Sequence, residues 1–191
     1  MGSLKRFDVC KYGCNIYIET GTGSGSCLDK AVNSKCFDKC YSVDIDAKMV
    51  NRARQRFPSS QIEIGTSVEI LEKWLSSGDI KQEDNVLFFL DAHFPDADFN
   101  GGKFDVSVLN AVPLQEELEL IKKYRSSSNN YIICDDARIY RIDQYQNGNV
   151  EWLQVPGGML FIYNMFSKDQ VSINLLDEGY ILIDDRGNNE Y

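Results

Sequence analysis

The sequence has a single histidine, His93, and no apolar run of about 18 or more residues, the length that a transmembrane helix requires. Its first residues, MGSLKRFDVCKYG, also lack the hydrophobic region of a secretory signal peptide. The sequence therefore shows neither of the two patterns that mark membrane and secreted proteins. We expect a soluble, cytoplasmic protein that has no membrane partner.

Basic residues are also scarce, because 20 Lys and Arg stand against 29 Asp and Glu and give a formal net charge of −9. A protein that holds a polyanion through counterion release needs a basic surface. The charge balance therefore argues against nucleic acid as a substrate or partner.

The six cysteines come without a secretory signal, so we expect reduced thiols. Cys10 and Cys14 have a C-x3-C spacing, as do Cys36 and Cys40. Zinc sites more often use C-x2-C or C-x4-C, or a mixture with histidine, and His93 lies far away in the sequence. The spacing therefore disfavours a structural zinc site.

The segment NIYIETGTGSGS, residues 15–26, interrupts an apolar, β-branched run with alternating glycines. Three of its residues lack the Cβ atom that would keep a ligand away from the backbone: Gly21, Gly23 and Gly25. The following SCLDKAV is compatible with a helix whose N-terminal amides favour anionic groups. The segment predicts a nucleotide-cofactor loop, and the alternative is a glycine-rich turn without a ligand.

The glycine spacing argues against a nicotinamide cofactor. The dinucleotide-binding motif has its third glycine where this sequence has Ser26. In this sequence the third glycine, Gly25, comes one residue earlier. The acidic Glu19 directly before the glycines is a second departure from that motif. An E-x-G-x-G-x-G pattern indicates a different kind of nucleotide cofactor.

Strand-like and helix-like segments alternate along the first two thirds of the chain. The strand-like runs are 16–19, 40–45, 61–64, 86–90, 131–135, 159–163 and 180–184, and helical spacing of apolar residues marks 47–57, 67–75 and 113–124. After about residue 136 the pattern changes to strands joined by loops. We therefore predict one α/β domain, 1–191: a Rossmann-like, doubly wound, mostly parallel sheet with an antiparallel C-terminal edge.

Three segments lie outside this alternation. Residues 1–14 form a lead-in before the first strand, and residues 185–191 are expected to be a frayed tail. Residues 94–112 have no clear period and contain Gly101-Gly102, which predicts a long loop after the fourth strand. Loops of this length are usually functional, so we predict a lid or acceptor-binding loop; the alternative is a disordered insertion.

In a doubly wound sheet, ligands bind at the carboxyl ends of the strands. Asp44 ends the second strand-like run, where an acidic side chain can accept hydrogen bonds from ribose hydroxyls. The alternative is a helix N-cap, but Asp46 suits that role better because AKMVNRAR follows it directly.

The fourth strand-like run ends in FFLDAHFP and the fifth in IICDDAR, so Asp91, His93, Asp135 and Asp136 are expected to converge if these strands are parallel neighbours. Carboxylates this close raise one another's pKa unless a cation compensates. Mg²⁺ or Mn²⁺ is the expected cation, since both prefer oxygen ligands. The alternatives are solvated surface carboxylates and a role in cofactor binding alone. Successive strand residues point to opposite faces, so Asp135 and Asp136 can both bind the ion only if the chain turns there. Otherwise Asp136 supports the metal ligands without binding the ion, or is a capping residue.

His93 is the candidate general base. A bound metal lowers the pKa of a coordinated hydroxyl, and an imidazole can then accept the proton near neutral pH. The alternative is a histidine that only caps or packs. Its position beside the acidic cluster favours catalysis.

The motifs ETGTGSG, SVDID, GTSVEIL, FLDAH and CDDAR resemble those of the class I S-adenosylmethionine (SAM) methyltransferases across residues 15–140. The resemblance implies a SAM site in which Ser67 lies beside the adenine, although Ser67 as a plain helix N-cap is an equal alternative. The residues implied in binding the cofactor are Glu19, Gly21, Thr22, Gly23, Gly25, Ser26, Asp44, Ile45, Ser67 and Asp91.

More narrowly, the aspartate after the fourth run and the Asp-Asp pair after the fifth resemble those of the Mg²⁺-dependent sugar O-methyltransferases of the macrocin and novobiocin type. That resemblance implies that Asp91, Asp135 and Asp136 hold the metal, and that Asp91 and His93 act in catalysis with His93 as base. The group often has a carboxylate at the position of His93, so the histidine is a departure. The implied reaction moves a methyl group from SAM to a hydroxyl of a sugar or glycan.

Other functions stay open at this point. The chain is alternatively a non-catalytic SAM- or nucleotide-binding module, or an O-methyltransferase for a non-sugar small molecule. A nicotinamide oxidoreductase is disfavoured by Ser26 and by the lack of a Tyr-x3-Lys pair. Methylation of an amide or base nitrogen is disfavoured because DAHF stands where amino-methylating enzymes have [D/N]-P-P-[Y/F/W]. The resemblance also suggests a domain of a larger glycan-modifying protein, such as a chlorovirus glycosyltransferase, which would place it in the host cytoplasm.

Overall fold

A computed structural model describes residues 3–93, 111–126 and 129–186, except the side chain of Trp152. These residues contain seven strands: β1 (Ile16–Thr20), β2 (Lys39–Asp44), β3 (Gln61–Ile64), β4 (Asn85–Leu90), β5 (Asn129–Cys134), β6 (Val171–Asn174) and β7 (Tyr180–Asp185). The strands form one sheet in the order β3-β2-β1-β4-β5-β7-β6.

The first five strands are parallel and the last two are antiparallel. β1 pairs in parallel with β2 and β4, which pair in turn with β3 and β5. β7 runs antiparallel to both β5 and β6. The predicted single α/β domain, with a Rossmann-like sheet and an antiparallel C-terminal edge, is therefore confirmed.

Five α-helices lie in the described part of the chain: α1 (Ser26–Ser34), α2 (Ala47–Arg56), α3 (Ser67–Ser76), α4 (Leu114–Arg125) and α5 (Leu160–Met165). Asp46 caps α2 as predicted, because its carboxylate accepts a hydrogen bond from the Lys48 amide at 2.7 Å. Thr66 caps α3 by accepting from the Glu69 amide at 3.3 Å. The alternative that Ser67 is the N-cap is therefore wrong, since Ser67 is the first helical residue.

The C-terminal third departs from the sequence prediction at one helix and one strand. The run 159–163, predicted as a strand, instead caps and begins α5, since a short apolar run does not distinguish a buried strand from a helix. Ile162 and Phe166 are buried four residues apart, and Leu160 is 63% exposed, which is a helical pattern. The prediction also omits β6, a four-residue edge strand that is only partly buried.

Apolar side chains cover both faces of the sheet. Helices α3, α4 and α5 pack on one face, and α1, α2 and the N-terminal segment pack on the other. The lead-in forms two 3₁₀ turns, Leu4–Arg6 and Val9–Tyr12. It buries four side chains on the α1/α2 face: Leu4, Phe7, Val9 and Tyr12.

The cysteine prediction needs one correction. Cys10 and Cys36 form a disulfide with a Cα–Cα distance of 5.5 Å, so the expectation that all six cysteines are reduced is wrong. The lead-in packs back against the segment after α1 and brings together two residues that are 26 positions apart. The other four cysteines are free and buried.

Two predicted segments lie wholly or partly outside the described residues. Of the lid or acceptor loop, 94–112, only Ala111 and Val112 are described, and both pack against the core on the α3/α4 face. Of the tail, 185–191, Asp185 ends β7 and Arg186 follows it. No helix in the described ranges has the length and apolar character needed to cross a membrane.

Candidate active site

The glycine loop after β1 folds onto the end of β2. The amides of Gly21 and Thr22 both donate to the carbonyl of Val43, at 2.9 and 3.1 Å. The amide of Gly23 donates to Asp44 Oδ2 at 2.8 Å. The loop then enters α1, whose N-cap is Gly25, so no cap side chain covers the first amides of that helix. Such a loop offers backbone donors at the carboxyl edge of the sheet.

Gly21 is required by close contact with the strand beside it. Its φ is +82°, and a Cβ atom added there would lie 2.5 Å from the Asp91 carbonyl oxygen. Only glycine fits such an approach without moving the backbone. The glycine loop therefore packs directly against the residues that follow β4.

A buried polar network supports the loop from below. Glu19, which is 1% exposed, accepts hydrogen bonds from Tyr17 Oη at 2.7 Å and from Ser42 Oγ at 2.6 Å. Ser42 Oγ lies 2.5 Å from Thr22 Oγ1 in the loop. Burial raises the pKa of Glu19 to about 7, although both hydrogen bonds act to lower it. Glu19 therefore lies beneath the loop on the α1/α2 face, where it connects β1, β2 and the glycines.

Asp44 and Ile45 follow β2 at the same edge. Asp44 Oδ1 accepts from the Asp46 amide at 2.8 Å, while Oδ2 holds Gly23. Burial raises the pKa of Asp44 despite these hydrogen bonds. The next side chain, Ile45, is 46% exposed and presents an apolar surface beside the loop. Ser26 stands at the start of α1 and Ser67 at the start of α3, where Ser67 is buried.

Three ionisable side chains converge where β4 and β5 end. Asp91, His93 and Asp135 each offer one ligand atom, and these atoms all lie within 4.8 Å of one another. His93 Nδ1 is 3.3 Å from Asp91 Oδ1. These side chains therefore lie beside Gly21, because Gly21 packs against the backbone of Asp91.

The two aspartates of this group lie close together, with Asp135 buried and Asp91 partly buried. Burial, followed by the charge of Asp135, raises the pKa of Asp91 well above its usual range. Burial raises the pKa of Asp135 to about 6, although the charge of His93 acts to lower it. Asp135 Oδ1 is buried and has no hydrogen-bond partner among the described residues. A buried carboxyl with an unsatisfied oxygen beside a partly buried one fits a cation that would bind between them.

Asp136 contacts His93 but lies outside the group of ligand atoms that Asp91, His93 and Asp135 form. Its φ is +55°, so the chain turns directly after β5, and its side chain faces His93 and Arg138. Asp136 Oδ2 lies 3.4 Å from His93 Nε2, and Oδ1 accepts from Arg138 Nε at 2.8 Å. Burial acts to raise the pKa of Asp136, but His93 and Arg138 outweigh it and lower the pKa. An ionised Asp136 favours a proton on Nε2 of His93, which leaves Nδ1 as the basic nitrogen.

Sequence patterns did not predict Glu117 or Arg138. Glu117 lies in the first turn of α4 and is 1% exposed. Burial raises its pKa to about 7, while the hydroxyls of Ser67 and Thr20 act to lower it. A signal was present, because Glu117 shares the apolar stripe of α4 with Leu114, Leu118 and Ile121. An acidic residue at a core position indicates a specific role more strongly than one on the solvent face.

The fold resembles that of solved methyltransferases. An O-methyltransferase from Bacillus cereus in complex with SAH has a TM-score of 0.60 and 14% identity, covering 91% of this chain and 75% of that chain. Human methyltransferase-like protein 13 in complex with SAH has a TM-score of 0.57 and 13% identity, covering 93% and 74%. A spermidine synthase in complex with the transition state analogue AdoDATO has a TM-score of 0.58 and 12% identity, covering 91% and 55%.

These similarities show that the chain has the Rossmann-like fold of the class I SAM-dependent methyltransferases. The chain spans about half the length of the spermidine synthases it resembles, 55% and 54% of two of them. No protein-family model matches the sequence, and no curated protein matches it. The methyltransferase fold predicted from the sequence is confirmed, whereas the metal, the acceptor and the roles of the site residues stay predictions.

Proposed function

We propose that the protein is a metal-dependent O-methyltransferase that transfers the methyl group of SAM to a hydroxyl of a sugar or glycan. The observation that carries the proposal is the contact between the glycine loop and the acidic cluster. Gly21 packs against the Asp91 backbone, while Asp91, His93 and Asp135 gather at the same point. A cofactor on the loop would therefore stand next to side chains that can activate a hydroxyl.

The residues along the carboxyl edge fit the parts of SAM. The amides that open α1 suit the carboxylate of its amino-acid portion. Asp44 is held in place by Gly23 and Asp46, and can accept hydrogen bonds from the ribose hydroxyls. The exposed face of Ile45 suits the adenine ring, with Ser67 nearby at the start of α3. SAM, when bound, supplies an electrophilic methyl group.

His93 is the proposed general base. Asp136, paired with Arg138, holds Nε2, so Nδ1 faces the acidic cluster as the proton acceptor. The acceptor hydroxyl would give its proton to Nδ1 as its oxygen bonds to the methyl carbon, and the methyl–sulfur bond would break to leave S-adenosylhomocysteine. Holding both reactants in line at this edge would contribute several kcal/mol by avoiding the entropic cost of their encounter.

Asp91 and Asp135 would hold Mg²⁺ or Mn²⁺ as the proposed metal. This assignment is supported by their raised pKa values and by Asp135 Oδ1, which is buried without a hydrogen-bond partner in the described part of the chain. Asp136 would orient His93 in place of binding the ion, because its two oxygens already face His93 and Arg138. A bound divalent ion supplies Lewis acidity, which lowers the pKa of a coordinated hydroxyl.

Methyl-labelled SAM tests the proposal when it is incubated with a panel of monosaccharides and nucleotide sugars, alongside matched amines and carboxylic acids. We expect label only on hydroxyl acceptors, loss of transfer in EDTA, and recovery with Mg²⁺ or Mn²⁺. Full transfer in EDTA would remove the metal from the proposal. Tight binding of S-adenosylhomocysteine (SAH) without transfer to any acceptor would support a non-catalytic SAM-binding module.

The acceptor class rests on the order of the motifs DAH and CDDAR and not on a described pocket. Transfer to a non-sugar hydroxyl would keep the chemistry and change only the acceptor. A place within a larger glycan-modifying protein is part of the same proposal, and nucleic acid is not expected as a partner because of the charge of −9.

A further inference from the structure

Two buried oxygens lie without partners on the α3/α4 face of the sheet, opposite the face that holds Glu19. Glu117 Oε1 and Thr20 Oγ1 are both buried and have no hydrogen-bond partner among the described residues. Thr20 ends β1 and is fully buried, and Glu117 is 1% exposed. Leaving such groups without partners costs about 1–3 kcal/mol each, and more for a charged group.

The two oxygens lie close together and close to the predicted cofactor edge. The hydroxyls of Thr20 and Ser67 are near enough to the Glu117 carboxyl to lower its pKa, and His93 acts on it through its charge. Glu117 therefore stands between the end of β1, the start of α3 and the residues after β4. Burial is the largest influence on the Glu117 carboxyl and disfavours its charged form.

We infer that Glu117, together with Thr20, recognises the exocyclic amine of the adenine ring of SAM. This inference rests on the proposed function, which supplies the adenine ring. A carboxylate oxygen is an acceptor, and an amine attached to a purine offers N–H donors. The Thr20 hydroxyl can donate to the neighbouring ring nitrogen. An acceptor beside a donor is complementary to adenine and mismatched to hypoxanthine, which has a carbonyl in place of the amine.

Binding calorimetry with SAH and with S-inosylhomocysteine, in which that carbonyl replaces the amine, tests the inference. At a pH above about 8, where the Glu117 carboxyl is ionised, we expect wild type to bind SAH about tenfold or more tightly than the inosine analogue, because a hydrogen bond to a charged group is lost and two acceptors face each other. In Glu117→Leu, SAH should bind about tenfold more weakly and the preference should disappear. In Glu117→Gln the amide can donate to the carbonyl, so the preference should narrow or reverse.

Glu116→Gln is the matched control, because Glu116 is exposed one residue earlier on α4. It should leave both affinities unchanged. Thermal melting of the ligand-free variants checks the fold, and Glu117→Gln should melt at or above the wild-type temperature, since it removes a buried carboxyl. Glu117→Leu that binds SAH as tightly as wild type, with the preference intact, would overturn the inference and leave the proposed function standing.

Binding of SAH with the expected preference but no methyl transfer would overturn the proposed function and keep the role of Glu117. Failure of wild type to bind either compound would overturn both. The comparison of two nucleosides in one variant therefore separates a change in recognition from a general loss of the site.

Discussion

His93 lies between two carboxylates, with Nδ1 3.3 Å from Asp91 and Nε2 3.4 Å from Asp136. A base held in this way contributes about 10²–10⁴-fold to a rate. His93→Ala should therefore lower turnover by about that factor while the dissociation constant of SAH stays within about twofold of wild type. Single-turnover methyl transfer and calorimetry measure the two quantities separately.

Asp136→Ala should lower turnover less than His93→Ala does, because it removes the carboxylate that faces Nε2 but keeps the imidazole. Equal turnover in wild type and His93→Ala would show that the imidazole only packs, which is the alternative left open by the sequence. A loss of SAH affinity equal to the loss of turnover would place His93 in cofactor binding.

Glu19 gives a pH-dependent contribution to stability. Its pKa is about 7 in the folded protein, mainly because of burial, against 4.5 as the reference value for an exposed glutamate. The folded state therefore binds the proton more tightly, so the free energy of unfolding falls as pH rises from about 4.5 to about 7. The full shift corresponds to about 3 kcal/mol at neutral pH.

Denaturant unfolding of wild type and Glu19→Gln across this pH range isolates that contribution. The free energy of unfolding of Glu19→Gln, relative to that of wild type, should increase by about 2–3 kcal/mol as pH rises, because the amide cannot ionise. Glu116→Gln, which removes an exposed carboxyl, is the control. A difference that does not vary with pH would mean that Glu19 ionises normally in the folded protein.

Among the elements, the glycine loop is the one whose shape the backbone fixes most tightly. Gly21→Ala places a Cβ 2.5 Å from the Asp91 carbonyl oxygen at a φ of +82°. A left-handed alanine alone costs about 1–2 kcal/mol, and the contact forces the loop away from β4 as well. We expect SAH affinity to fall by about tenfold or more, measured by calorimetry.

Gly13→Ala separates the two effects, because Gly13 has a φ of +65° and nothing within 4 Å of an added Cβ. It should lower stability through the backbone alone and leave SAH affinity unchanged. Equal affinities in both variants and wild type would show that the loop contacts no cofactor.

The elements that the sequence predicts well have one clear period. Strands β1, β2, β4 and β5 are mostly buried runs, β3 alternates polar and apolar residues, and α2, α3 and α4 carry apolar stripes beside polar ones. The run 159–163 has no such period, because it is apolar throughout, and it caps and begins α5 where a strand was predicted. The secondary structure of a short apolar run depends on the elements that it packs against, and these are distant in the sequence.

The site is predictable in its composition and less so in its geometry. The sequence predicts that Asp91, His93 and Asp135 lie close together, because they follow parallel strands that end at one edge of the sheet. The direction of Asp136 depends on a left-handed φ at that residue, which no spacing encodes. Glu117 comes from a helix and not from a strand end, so an inspection of strand ends does not find it.

At the scale of the whole molecule, the lead-in ties together parts of the fold that are distant in sequence. Arg6 donates to both oxygens of Asp177, at 2.9 and 2.7 Å, in the turn before β7. The Ser3 amide donates to Tyr180 Oη at 2.8 Å. The Cys10–Cys36 disulfide fixes the other end of the lead-in to the segment after α1. The lead-in therefore connects the segment after α1 to the turn before β7 and to β7 itself.

The disulfide closes a segment with a sequence separation of 26 residues, and a cross-link of that span stabilises a fold by about 3 kcal/mol through the unfolded state. Cys36→Ser should therefore lower the melting temperature by roughly 5–10 °C. Reductant should produce the same fall in wild type and no further fall in the variant, because it acts on the same bond. SAH affinity should change little, since the glycine loop is held by β2 and Asp91 and not by the lead-in. Wild type that melts at one temperature with and without reductant would show that the bridge adds no stability.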